Sequence, residues 1–277
     1  MRFADWTVTE IDSGHVFLDG GAMFGNVPKV LWEREHPADD KNRIDLAMRC
    51  LVLERGERRF LVDTGAGDKW DDKLRGIYGL GPSRLEASLR AAGIEPESIT
   101  DVVLTHLHFD HAGGVSSMRD GEARLVFPQA VHWVQRRNLD NARRPGIRER
   151  ASYLPENVEP VAAGRVELLD GDVEIAPGLS VRAYDGHTVG LQVVRLATPE
   201  GGLVYAADMI PTSSHLRGPY TMGYDICAGR LVEEKATLLE DCLDHGLLVC
   251  FEHDPRHAAA ALERAEGKIR AAAFRDL

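Results

Sequence analysis

Cysteine is scarce in this chain, with only Cys50, Cys227, Cys242 and Cys250 among 277 residues. They form no C-x-x-C pair and no dense framework, which argues against a disulfide scaffold or a thiolate zinc site and leaves them as buried free thiols, Cys250 in the core. Long apolar runs are also absent. No stretch approaches the ~20 apolar residues of a membrane span, and the N-terminus, MRFADWTVTEID, has no basic region followed by an apolar one. A cytoplasmic protein without membrane contact is the expectation. Positive charge is in deficit, 33 Lys and Arg against 44 Asp and Glu, for a formal net charge of −11. A surface of that sign repels phosphate backbones, so nucleic acid is not an expected partner. Repeats and low-complexity tracts are missing too, and nothing divides the chain. We expect one domain over residues 1–277.

What is present suits a folded enzyme: 44% hydrophobic and 28% charged residues, in a chain long enough to bury a large core. WTVTEID reads as a strand, and AMRCLVLERGERRFLVDTG as two strands joined by a hairpin at Arg55-Gly56-Glu57. Ser83 and Glu86 have capping-box spacing, so a helix is expected from Ser83 to Gly93. A second is expected over Gln129–Ala142, where Val131, Val134 and Leu139 give an approximate apolar face. Short strands follow between Arg165 and His187, then LQVVRLAT and GLVYAAD, a helix over LVEEKATLLEDCLDHG and a buried strand in LLVCFEHD. The C-terminal AAAALERAEGKIRAAAF fits either a helix or a hairpin turning at Glu266-Gly267. Strands followed by helices in both halves imply an α/β sandwich. Gly20–Lys41 fits no regular element and is expected to be a loop over a site.

The densest chemistry lies in LTHLHFDHAGG, Leu104–Gly114, directly after the apolar strand DVV. Alternate side chains of an extended segment point the same way, so His106 and His108 can converge on one ion, while Asp110 and His111 can face a second. Imidazole and carboxylate are the donors that zinc, iron or manganese take. Ionisable groups at a strand end cost several kcal/mol if left unpartnered, so this H-x-H-x-D-H run points to metal.

The run THLHFDHAGG resembles the hallmark of the metallo-β-lactamase-fold hydrolases, and other landmarks of that family occur in order: FLVDTG at Phe60–Gly65, YDGHTVG at Tyr184–Gly190, YAADMIP at Tyr205–Pro211 and CFEHDP at Cys250–Pro255. The resemblance implies an αββα sandwich and two divalent metal ions, zinc first with iron, manganese or cobalt as alternatives. His106, His108 and His187 would hold one ion, Asp110, His111 and His253 the other, and Asp208 would bridge them. His257 is the alternative to His253, and Asp63 would orient ligands from behind. A hydroxide shared by the metals would attack the substrate, with Asp110 also shuttling the proton.

FEHD and GHTVGLQ look like the N-acyl homoserine lactonases, which are quorum-quenching enzymes, and the related organophosphate hydrolases. A small lactone or ester is therefore the expected substrate, with a phosphotriester or a di-iron redox or sensor role as alternatives. GGAMFGNVPKVLWERE resembles the loop walling their pockets, and Met23, Phe24 and Trp32 would contact an acyl chain there. The same apolar residues would equally serve a homodimer interface. In the lactonases a tyrosine follows the bridging aspartate; here Pro211 stands at that place, with His215 or Tyr220 as candidates for the substrate contact.

Overall fold

The computed structural model describes residues 1–277. The first half supplies β1 (Arg2–Phe3), β2 (Trp6–Asp19), β3 (Arg43–Arg55), β4 (Arg58–Val62) and β5 (Asp101–Val103), then a separate hairpin of β6 (Ser116–Arg119) and β7 (Glu122–Leu125), then β8 (Val131–Gln135) and β9 (Val166–Leu169). All but the hairpin join in one sheet, ordered β1-β2-β3-β4-β5-β8-β9. The second half forms another sheet in sequence order: β10 (Val173–Ala176), β11 (Leu179–Tyr184), β12 (Leu191–Thr198), β13 (Gly201–Tyr205), β14 (Leu248–Cys250), β15 (Ala259–Ala265) and β16 (Lys268–Arg275). The helices are α1 (Gly20–Phe24), α2 (Lys29–Trp32), α3 (Asp72–Tyr78), α4 (Leu85–Ala91), α5 (Phe109–Ala112), α6 (Arg136–Arg143), α7 (Pro155–Ala163) and α8 (Ala228–Asp244). None is long and apolar enough to cross a membrane.

The period of two explains the layers. Leu51, Leu53, Phe60, Val62 and Val103 meet Val181, Val194, Leu196, Leu203 and Tyr205 between the sheets. The alternate residues Cys50, Val52, Leu61 and Val102 pack outward on Leu85 and Leu89 of α4, Leu139 of α6 and Val158 and Val161 of α7. Val193, Val204 and Val249 pack on Leu231, Leu238 and Leu239 of α8. Both sheets are thus covered on both faces, which is why their strands read as continuous apolar runs, and the result is the αββα sandwich.

Several local readings need correction. Val131–Gln135 is a strand, not the start of a helix, because Val131, His132 and Trp133 pair in parallel with Asp101, Val102 and Val103; only Arg136–Arg143 is helical. The helix expected from Ser83 starts at Leu85, since the Ser83 hydroxyl reaches only Leu85 N, at 3.4 Å, and Arg84 is the capping residue. Gly20–Lys41 contains α1 and α2, the first capped by Asp19 Oδ1 accepting from Ala22 N at 2.8 Å. Cys227 is exposed, while the other three thiols are buried. The C-terminus is the hairpin of β15 and β16, with Glu266 and Gly267 both at positive φ, 52° and 74°.

Candidate metal centre

Parallel pairing of β4 with β5, and of β13 with β14, puts four strand ends together. Beyond β5 the chain bends at Thr105, is extended again at His108 (φ −63°, ψ 156°) and then winds into α5, which carries Asp110 and His111. Asp208 follows β13, His253 follows β14, and His187 lies in the turn between β11 and β12. The two backbones at the site approach closely: a Cβ on Gly113 would lie 2.1 Å from Ala66 O, and one on Gly114 2.2 Å from Thr64 O. These glycines therefore dock the ligand-bearing segment against Asp63–Gly67.

The donors fall into two sets. His106, His108, His187 and Asp208 form one, and Asp110, His111 and His253 the other, all buried. His108 Nδ1 lies 3.0 Å from His106 Nε2 and 3.2 Å from His187 Nε2. His253 Nε2 lies 3.3 Å from His111 Nε2. Asp208 joins the sets, with Oδ2 3.2 Å from His187 Nε2 and 3.5 Å from His111 Nε2, and Oδ1 3.1 Å from His253 Nε2. Asp110 oxygens stand 3.8 Å and 3.9 Å from His253 and His111.

The second ring nitrogens test whether metal fits. His106 Nδ1 faces the Thr105 hydroxyl oxygen at 3.1 Å, His187 Nδ1 donates to Asp225 at 2.9 Å, His111 Nδ1 to Asp63 at 3.0 Å, and His253 Nδ1 to Ala47 O at 2.7 Å. With the protons on Nδ1, the four Nε2 atoms turn bare lone pairs toward one another, and Asp208 Oδ1 makes no hydrogen bond. Such crowding is repulsive unless a cation lies between. The nitrogen separations approach the edge of about 3.3 Å expected of a tetrahedron with metal–nitrogen bonds near 2.0–2.1 Å. The residues fit divalent metal. Burial opposes ionisation of Asp208, yet His111, His187 and His253 hold its carboxyl well below the usual range. Burial, reinforced by His111 and His108, pushes the pKa of His106 down, whereas against the opposing effect of burial the nearby carboxylates raise those of His111, His187 and His253. Without metal, protons therefore partly fill the place a cation would take and must leave when it binds.

Asp63 lies behind the site in the left-handed region, φ 56°. Its carboxylate accepts from Thr105 N at 2.7 Å, Thr105 Oγ1 at 2.6 Å and His111 Nδ1, so the strain fixes a ligand's orientation. His257 lies away from the cluster, stacked on Phe274 at 3.6 Å.

Above the donors is a cavity of about 340 Å³, lined by Leu18, Met23, Tyr78, Phe109, Met222 and Tyr224 on its apolar side and by Arg148, Glu149 and Ser152 on the other. Met23 is in the wall, whereas Phe24 and His215, also expected to contact substrate, lie behind it. Phe24 is fully buried, stacked between Trp32 at 5.5 Å and His215 at 4.9 Å. His215 is held behind the wall by Met23 O and Thr212 Oγ1. Trp32 and Tyr220 also pack behind Phe24. Asp225, Glu149, Glu252, Tyr78 and Tyr224 were missed. Only Glu252 had a sequence signal, an acid inside the apolar run before His253.

Fold and site together define a metal-binding αββα sandwich built on strand ends. The chain belongs to the metallo-beta-lactamase superfamily, whose profile matches residues 47–266. The N-acyl homoserine lactonase of Bacillus cereus is 28% identical over 174 residues, 59% of this chain; the match spans 63% of that relative's length, less than two thirds. N-acyl homoserine lactonase AiiB of Agrobacterium fabrum is 27% identical over 285 aligned positions, 93% of this chain and 96% of the relative. A solved structure of a probable metal-dependent hydrolase from Staphylococcus aureus has a TM-score of 0.91 at 26% identity, covering 99% of this chain and 98% of its own.

Proposed function

We propose that the chain is a metal-dependent hydrolase of lactones or related carboxylic esters, working with two divalent ions, zinc foremost. The observation that carries the reading is the pair of donor sets sharing Asp208 at the floor of a half-apolar cavity. The lactonase relatives named above support the substrate class. When bound, two such ions supply Lewis acidity for an ester carbonyl and activate water at neutral pH.

The chain's own residues do the rest. His106, His108 and His187 would hold one ion, Asp110, His111 and His253 the other, with Asp208 between them. Asp110, which lines the cavity, is placed to carry a proton from the attacking water to the departing alkoxide. The Tyr78 and Tyr224 hydroxyls are donors available to a substrate oxygen, and Met23, Leu18, Phe109 and Met222 would exclude water around an acyl chain. Hydrolysis of an acyl homoserine lactone, the quorum-quenching reaction, fits this wall.

Metal quantification coupled to turnover on lactone, phosphotriester, thioester and β-lactam substrates tests the reading. Two zinc ions per chain, lactone opening, and its loss on chelation are expected. A metal-loaded protein that cleaves a phosphotriester and opens no lactone would transfer the assignment to organophosphates, and two irons with oxygen or nitric oxide turnover would transfer it to redox chemistry.

A further inference from the structure

One acid near the site has no role in the proposed chemistry. Glu252 ends the buried run before His253 and is 0% exposed. Its Oε2 stands 2.9 Å from His111 Nδ1, yet neither of its oxygens makes a hydrogen bond. The Nδ1 proton already goes to Asp63, which Thr105 saturates with two further donors. No lysine or arginine pairs with Glu252, and a buried carboxylate without a counter-charge costs several kcal/mol. The neighbouring cationic position is the far side of the His111 ring, where the second donor set points.

The other imidazoles are backed differently. His187 has the single carboxylate of Asp225, His108 has Glu149 Oε1 at 3.6 Å from its Nε2, His106 a threonine hydroxyl and His253 a backbone carbonyl. Of these, His111 alone has two acids behind it, Asp63 and Glu252. A carboxylate behind a ligating histidine raises the donor strength of its other nitrogen and fixes the ring.

We propose that Glu252 is a positioning residue for the second ion: with Asp63 it places negative charge behind His111 and strengthens the hold of the Asp110, His111 and His253 set on its metal. The consequence is that this set binds its ion more tightly than it would with Asp63 alone. This rests on the reading of the site as a two-ion centre.

The test is a metal titration of the full chain, stripped of metal, with cobalt(II) followed by its d–d absorption and with zinc followed by competition against a chromophoric chelator. Glu252→Gln keeps the shape and removes the charge. It should weaken one of the two binding steps about 10- to 100-fold and leave the other unchanged. Asp225→Asn, acting behind His187, should weaken the opposite step. Glu252→Asp, which keeps the charge and withdraws it by one methylene, should fall between wild type and Glu252→Gln, and it serves if the glutamine variant does not fold. Unchanged affinities in Glu252→Gln, or equal loss at both steps, would overturn the role of Glu252 while leaving the two-ion reading intact. A wild-type stoichiometry below two would overturn that reading itself, and the proposal with it.

Discussion

Replacing Arg49 by methionine should disable the second donor set from a distance. Arg49 lies on β3, and its side chain is 8% exposed. Nη1 donates to Phe251 O at 2.5 Å and Asp254 O at 2.9 Å, bracketing His253, while Nε donates to Glu10 at 2.7 Å. Methionine keeps the apolar stem but leaves two buried carbonyls without a donor. Each orphaned acceptor costs about 1–3 kcal/mol, so the loss should be about 2–6 kcal/mol, a large share of a typical stability of about 5–15 kcal/mol. At roughly 2–4 °C per kcal/mol for a chain of this size, Tm of the metal-free protein should fall by on the order of 10 °C. Thermal unfolding by circular dichroism measures this, and metal analysis should show one ion bound less firmly. Arg143→Met is the control, since Arg143 pairs with Glu159 across side chains 43% and 58% exposed, where solvent screens the pair, and it should leave Tm nearly unchanged. If Arg49→Met melts no lower than Arg143→Met, the assignment of Arg49 as the brace of the His253 segment fails.

Other expectations follow from the pocket and its rim. Phe24→Ala should lower stability by about 3–5 kcal/mol through the cavity left between Trp32 and His215, whereas Met23→Ala should change the KM dependence on acyl-chain length; the reverse assignment of effects would show Phe24 to be the substrate contact. Tyr224→Phe should reduce kcat for lactones on the order of 10²-fold with little change in KM, because its phenol lines the cavity and can donate to a substrate oxygen; full activity would remove it from the mechanism. The hydrogen bond that His15 Nδ1 donates to Asp45 raises the His15 pKa above 6.5, so this pair's stabilisation is complete below that pH and is lost as pH rises through the folded value. Both groups are more than a third exposed, so the contribution is about 0.2–1 kcal/mol, and His15→Gln should flatten the decline of Tm between pH 6 and 8; an unchanged slope would show the pair to be idle.

The layers were legible because both faces of the central strands are buried. Apolar continuity in LVL and FLV marked them without help from tertiary context. The Gln129–Ala142 segment misled because Val131, Val134 and Leu139 also match a helical spacing, and only pairing with β5 decides between the two. At the site, His106, His108, Asp110 and His111 stood out because they are crowded into one strand end. Asp225 and Tyr224 could not be found that way. Asp225 lies 38 positions from the histidine it orients, in a segment with no periodicity of its own. Met23 and Phe24 show the limit at finer scale: both are buried in one apolar cluster, but consecutive residues of a helix differ by about 100° in direction, so Met23 alone of the two also borders the cavity.

The same division separates what this fold holds constant from what it can vary. The donors stand on strand ends, tied to the sheets by backbone pairing and to one another through buried partners such as Asp63, Thr105 and Asp225. The cavity wall comes from elsewhere: the end of β2, α1, α3, the segment Arg148–Ser152 and the turn Met222–Tyr224. Each of these lies outside the inter-sheet core, but the Met222–Tyr224 turn adjoins Asp225 and the Arg148–Ser152 segment carries Glu149 beside His108, so α1 and α3 are the wall elements freest to change without disturbing the ligand geometry. The donor residues therefore speak for a metal-dependent hydrolase of this superfamily, and on the reading proposed above the choice among lactone, ester and phosphotriester would be read from Met23, Tyr78, Arg148 and Tyr224.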